Sequence, residues 1–184
     1  ARFMVRKLEE RGHDVALVDS EVYELPMLDR MFKEFDDGEA PRAMRAVADI
    51  LDAADGFVVI SGEYNHSIPA ALKNLLDHYQ SEYLYKPTAI VTYSKGPFGG
   101  VRSLINLRAL LAELGTPTIP SAFPVSAVDR AFDEDGNATE EAYDSRVGKF
   151  LDEFEWYVTA LKRQRECDAR DCDAPSQQAM CRGD

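Results

Sequence analysis

A chain of 184 residues, 45% of them hydrophobic, is long enough for a single domain whose core needs no disulfide or metal staples. Thirty-three acidic against twenty-one basic residues leave a formal charge of −12, which excludes roles built on a basic surface, on nucleic acid or on an anionic membrane. No apolar run reaches bilayer-spanning length and the opening ARFMVRKLEE has no apolar signal region, so the expected location is the cytoplasm.

The chain opens in a helical pattern, with Phe3, Met4 and Leu8 on one face and Gly12 placed to stop it. Asp14–Asp19 (DVALVD) reads as a strand. Ser20–Ala40 mixes Tyr23, Leu25, Pro26, Met27 and Leu28 with acidic residues, and reads as a long loop holding one or two helical turns. Pro41 begins a helix whose buried stripe is Met44, Val47, Ala48 and Leu51. Gly56–Ser61 (GFVVIS) has the length and β-branched content of a buried strand.

That strand runs into the polar loop Gly62–Ser67, and Ser67 and Pro69 are placed to cap and start the next helix. Ile68, Ala71, Leu72, Leu75, Leu76 and Tyr79 recur at helical spacing, with Lys73, Asn74 and Asp77 opposite. Ligands of parallel α/β sheets bind where carboxyl ends of strands meet such loops. Glu63, Tyr64, Asn65 and His66 offer consecutive side chains able to stack, accept or donate, although an arbitrary polar loop is more often a solvated turn.

Thr88–Tyr93 (TAIVTY) is a further strand. Its loop, Ser94–Gly100 (SKGPFGG), has three glycines that let a flat ligand approach the main chain, a weak signal taken alone. A helix follows, with Val101, Leu104, Ile105, Leu111 and Leu114 expected inward. Thr118–Val125 (TIPSAFPV), broken by Pro120 and Pro124, suits an edge strand. Asp133–Asn137 (DEDGN) reads as a turn rather than a calcium loop, because no glycine sits at the sixth position and Asp144 stands where the bidentate glutamate belongs. Thr139 is placed to cap a last long helix with Tyr143, Val147, Phe150, Leu151, Phe154, Val158 and Leu161 on its apolar face. Residues 163–184 are polar and aperiodic, and disorder is expected there. Cys167, Cys172 and Cys181 fit neither a zinc pattern nor a CxxC motif. Helices and strands alternate, which predicts an α/β three-layer sandwich around a mostly parallel sheet, without repeats or a second domain.

In order and separation, GEYNHSIPAALKNLLD, SKGPFGG with the helix containing Leu107-Arg108, and AFDEDGN resemble the NAD(P)H-dependent FMN reductases, the flavodoxin-like group that includes chromate, quinone and azo-dye reductases. The resemblance spans 1–162 and leaves 163–184 outside. It implies FMN as cofactor, NAD(P)H as co-substrate, a small-molecule electron acceptor and a homodimer or homotetramer, with Tyr79–Tyr85 as an interface element or as cover for the sheet end. It further implies that Gly62, Glu63, Tyr64, Asn65 and His66 lie against the isoalloxazine ring, and that Ser94, Lys95, Gly96 and Gly99 close on its other edge. No catalytic side chain or metal is required, since the flavin carries the chemistry.

Two departures stand out. Gly62 occupies a position where the family carries proline. The family's first strand and Ser/Thr/Arg-rich phosphate loop precede the helix in which this sequence begins, so truncation of a longer reductase is expected, ahead of a sheet that closes its gap or a strand supplied by another chain. The rival readings are a flavodoxin-like scaffold without flavin activity and a flavodoxin-type electron carrier.

Overall fold

Alternation along the strands divides the molecule into two cores. The computed structural model describes residues 1–173. β1 (Phe57–Gly62), β2 (Thr88–Tyr93) and β3 (Thr118–Val125) form a parallel sheet in the order β1-β2-β3. Successive side chains of a strand point to opposite faces. Val58, Ile60, Ala89, Val91, Ile119, Phe123 and Val125 accordingly join one core, while Phe57, Val59 and Ile90 join the other. The first core is covered by α1 (Arg2–Glu9) and α6 (Glu141–Asp173), the second by α2 (Arg42–Ala53), α3 (Ala70–Asp77) and α4 (Val101–Glu113). This is the expected α/β three-layer sandwich of flavodoxin-like form, and β2, paired on both sides, is its spine.

The strand expected at Asp14–Asp19 does not form. A strand exists only by pairing, and the outer edge of β1 makes no ladder with this segment. Its apolar residues are nevertheless used, since Val15 packs on one core and Val18 on the other. β3 is the edge strand that Pro120 and Pro124 foretell. The Arg108 guanidinium donates to Thr118 Oγ1 (2.9 Å) and to the carbonyls of Ile119 (3.1 Å) and Pro120 (2.6 Å). Missing prolyl donors and a cation on the carbonyls together blunt that edge against pairing with other chains.

Ser20–Ala40 is a long connection with a 3₁₀ turn at Phe32–Glu34, strapped onto α3. The Asn74 amide receives the Leu28 N–H at 2.9 Å and donates to the Pro26 carbonyl at 2.9 Å, and Phe32 N–H donates to the His78 carbonyl at 2.8 Å. Asn74→Ala is expected to weaken the strap by about 1–2 kcal/mol. Limited proteolysis should then cut faster between Pro26 and Phe35, and an unchanged rate would show that the Phe32–His78 contact suffices alone.

Several local expectations are corrected. Tyr79 and Tyr83 are buried, donating to the carbonyls of Met44 (2.9 Å) and Leu76 (3.3 Å), so they belong to the core, and Leu84 and Tyr85 are the exposed large hydrophobic side chains of that segment. On α4 the buried residues are Ser103, Leu107 and Leu111, and Val101 and Ile105 face outward. The helix is rotated because its first turn is fixed by Gly100 and Ser103, whose hydroxyl donates to the Gly100 carbonyl at 2.7 Å. Ser67 and Thr139 do not cap helices. Ser67 pairs with Tyr64, and the Thr139 hydroxyl donates to the Arg130 carbonyl at 2.7 Å.

α6 continues through Asp173, past the point where the polar tail is expected to begin. Polar composition does not prevent a helix whose turns are tied to the body and to each other. Lys162 and Arg165 pair with Asp55 at 2.7 and 3.0 Å, Arg165 also donates to the Tyr85 carbonyl at 2.9 Å, and Gln164 donates to Asp168 at 2.7 Å. Cys167 is exposed on this helix, and Cys181 with the rest of 174–184 lies outside the described residues.

Candidate active site

β1 and β2 end side by side, with Gly62 in register with Tyr93, and both candidate loops leave from this end of the sheet. A Cβ on Gly62 would come within 3.1–3.2 Å of the Tyr93 ring and hydroxyl, so the bare glycine makes room for that side chain beside the main chain. Glu63 N–H donates to the Tyr93 carbonyl at 3.2 Å and carries the pairing one residue beyond the strand.

The chain then makes a tight reversal. Tyr64 and Ser67 exchange two backbone hydrogen bonds of 2.9 Å, and Asn65 and His66 between them have φ of 50° and 64°. Positive φ at both central positions is the signature of a type I′ turn. Asparagine visits this region with little penalty and histidine less readily, so the conformation is sustained by its surroundings. Among the described residues the Asn65 and His66 amides have no acceptor, and Tyr64 projects into solvent at 66% exposure.

The surroundings are supplied by α4. Glu63, whose side chain is only 10% exposed, receives the Arg102 guanidinium on one carboxylate oxygen and the Arg102 backbone N–H on the other, each at 3.1 Å. It thereby satisfies one orphan donor at the helix start and offsets a cation placed badly against the dipole. One turn on, Asn106 Nδ2 donates to the His66 carbonyl at 3.1 Å. Arg102 also lies over the exposed Phe98 ring, 4.9 Å from its centroid.

Desolvation pushes the Glu63 carboxyl up, but the backbone and side-chain hydrogen bonds from Arg102 and its charge outweigh this and hold the pKa below the usual carboxylate value. The folded pKa is depressed, so the tether's contribution is complete above about pH 4.3 and is lost as pH falls below that through the folded pKa. A carboxyl NMR titration should place the Glu63 midpoint below the ordinary value, and Arg102→Ala should return it upward. A wild-type midpoint at the ordinary value would contradict the tether.

The second loop is bound to β3 and to the start of α5 (Val128–Ala131). Ser94 N–H donates to Val125, Val128 N–H to Ser94 and Ala127 N–H to Gly96, each to a carbonyl at 3.1 Å. Buried Thr92 donates its hydroxyl to the Gly99 carbonyl at 2.7 Å. Gly99 and Gly100 both have positive φ, and a Cβ on Gly100 would stand 2.7 Å from the Tyr93 carbonyl oxygen. At Gly96 a Cβ would meet nothing within 4 Å, and Lys95 is exposed beside it.

The structure thus brings Gly62, Glu63, Tyr64, Asn65 and His66 to the same sheet end as Ser94, Lys95, Gly96 and Gly99. Glu63 turns away toward α4. Tyr93, Arg102 and Asn106 belong to the same assembly and carry no marker in the loops' own sequence. Arg102 offers one signal, since a cation in the first turn of a helix implies a nearby carboxylate.

Comparison with known proteins places the chain in a family. Residues 1–129 match the family model of the NADPH-dependent FMN reductases. The chain belongs to this family. Among its relatives, the NADH:(hydroxy)cinnamate reductase subunit CrdA of Vibrio ruber is 32% identical over 82% of this chain and 77% of its own length. The NADPH azoreductase of a Bacillus species is 32% identical over 77% of this chain and 74% of its own length. In solved structures, the flavoenzyme NAD(P)H:(acceptor) oxidoreductase FerB of Paracoccus denitrificans aligns with a TM-score of 0.59 at 25% identity, covering 76% of each chain. Membership of the NADPH-dependent FMN reductases makes this chain an oxidoreductase with FMN as cofactor and a nicotinamide nucleotide as electron donor.

The residues present fit a planar, polar-edged ring. Free Asn65 and His66 amides offer directed donors, Tyr64 and Phe98 offer exposed aromatic surface, and Gly96 leaves open space for close main-chain approach. No helix among the described residues is long and apolar enough to cross a membrane.

Proposed function

We propose that this FMN reductase family member passes electrons from NAD(P)H to a small-molecule acceptor of the quinone, azo, free flavin or metal oxyanion class, at the sheet end formed by the Gly62–Ser67 and Ser94–Gly100 loops. The observation that carries the reading is the Tyr64–Ser67 turn, held with two consecutive left-handed residues and unpaired amides beside a glycine-rich loop. FMN, when bound, would supply the redox chemistry that links a hydride donor to a two-electron acceptor.

The chain's own residues bind and orient. The Asn65 and His66 amides and the Asn65 side chain would supply donors for the polar edge of a bound flavin, and the exposed Tyr64 and Phe98 rings would supply aromatic surface for it. Ser94, Lys95, Gly96 and Gly99 would line the other edge, with Lys95 as the cationic side chain of that loop. Gly62 admits the Tyr93 ring and Glu63 anchors the loop. We further assign a cytoplasmic location and a homodimeric or homotetrameric state. The latter accords with Val101 and Ile105, 40% and 73% exposed one turn apart on α4.

Titrating FMN with the chain should quench flavin fluorescence, and adding NADPH with a quinone should give nucleotide oxidation that depends on both. Absence of quenching at saturating chain would overturn the reading. Sedimentation should give two or four copies, and a monomer at micromolar concentration would remove the assembly.

A further inference from the structure

We propose that Arg102 and Asn106 of α4 are positioning residues for the ring-binding turn: they hold Glu63 and the His66 carbonyl, and so keep Asn65 and His66 in the left-handed conformation that aims their amides outward. The inference rests on the flavin reading of this site and adds two residues that neither loop contains.

Four observations converge. The turn is gripped at both ends by one helix face, Glu63 by Arg102 and the His66 carbonyl by Asn106, at 3.1 Å in each case. Arg102 and Asn106 are four residues apart, hence neighbours on the α4 surface, so the helix acts as a ruler with one turn between its two grips. The second grip falls on His66, whose φ of 64° lies in the left-handed region that residues with a Cβ occupy uncommonly. The first is doubly made, because Glu63 also takes the Arg102 backbone N–H at 3.1 Å, and the arginine is steadied over Phe98.

Turn and helix are therefore one unit, and α4 is itself fixed at its start by Gly100. A turn held only by its own two hydrogen bonds would sample other conformations, and those would withdraw the amide donors from any flat ligand. Pre-organised donors bind without paying for their own ordering.

The test uses the whole chain with Arg102→Ala, Asn106→Ala, His66→Gly and the double variant His66→Gly/Asn106→Ala. Hydrogen exchange at the Tyr64 and Ser67 amides reports the turn without flavin, and fluorescence quenching reports FMN affinity. Arg102→Ala and Asn106→Ala should each speed exchange at Tyr64 and Ser67 by about 5- to 10-fold and weaken FMN binding by a similar factor. Glycine adopts positive φ freely, so Asn106→Ala should cost at least threefold less in the His66→Gly background than in the parent. A thermal melt within a degree or two of the parent separates local loosening from unfolding.

Parent-like exchange and parent-like FMN affinity in both single variants would overturn the proposal while leaving the flavin reading intact. An Asn106→Ala cost undiminished in the His66→Gly background would overturn the part assigned to backbone conformation. A parent chain that fails to bind FMN would overturn the flavin reading and with it the positioning role.

Discussion

Gly100→Ala is expected to destabilise the protein by about 2–4 kcal/mol and to abolish FMN binding. Gly100 has φ of 73° at the start of α4, and a Cβ there would lie 2.7 Å from the Tyr93 carbonyl oxygen, 2.9 Å from its nitrogen and 3.0 Å from its carbonyl carbon. These are backbone atoms of the central strand, so no side chain can swing aside. The left-handed conformation alone costs a residue with a Cβ about 1–2 kcal/mol, and the collision adds to it. Relief would require α4 to move away from β2, taking Arg102, Asn106 and the turn they hold with it.

For a domain of this size the expected loss lowers the melting temperature by about 4–16 °C. Gly96→Ala is the informative comparison, because open space surrounds its Cβ position and its φ is unstrained. Its melting temperature should stay within about 2 °C of the parent. A Gly100→Ala protein that melts with the parent would show that this loop is not set as described.

Phe123→Ala is expected to cost about 3–5 kcal/mol, the range for removing a buried aromatic ring. Phe123 is 2% exposed and its ring meets Phe3 from α1 and Tyr143 and Phe150 from α6, with centroid separations of 6.4, 6.1 and 5.6 Å. The Arg146 guanidinium also lies 4.9 Å from its centroid. Two helices converge on this one ring of β3, so the cavity cannot close by shifting either of them alone.

The effect reaches the site through the next two residues. A Cβ on Gly99 would approach Pro124 at 3.0 Å, and Val125 accepts the Ser94 N–H, so the glycine-rich loop is packed and bonded against the end of β3. Urea unfolding should give the stability loss and a flavin titration should show weaker binding in the same variant. A loss below about 1.5 kcal/mol would mean the ring is not the packing centre of this layer.

Much of the architecture is legible in the residues. TAIVTY and TIPSAFPV mark β2 and β3 to the residue, and the stripe Met44, Val47, Ala48 and Leu51 on α2 is buried as its spacing demands. DEDGN folds as a turn, with Asp133 accepting the Asp135 and Asn137 N–H groups and the Asn137 side chain, and Gly136 at positive φ. Other signals misled for definable reasons. DVALVD has strand composition and no neighbour to pair with among the described residues, while α3 starts at Ala70 with Pro69 at its N-cap, two residues beyond Ser67. Val101 and Ile105 have core chemistry and a surface position, because α4's rotation is set by contacts at its first turn.

The amino-acid sequence by itself determined what depends on near neighbours: the positions of helices and paired strands, their α/β order, the parallel three-layer arrangement, and the two loops that identify the FMN reductase family. Hydrophobic period, turn residues and glycine placement act over a few residues and can be read along the chain. Only the tertiary structure decided that Glu63 is tethered to α4, that the Tyr93 ring packs beside Gly62, and that Arg102 and Asn106 hold Glu63 and the His66 carbonyl on either side of the turn. These partners are separated by roughly thirty to forty residues in sequence, and which groups meet across such distances is set by how the helices pack on the sheet.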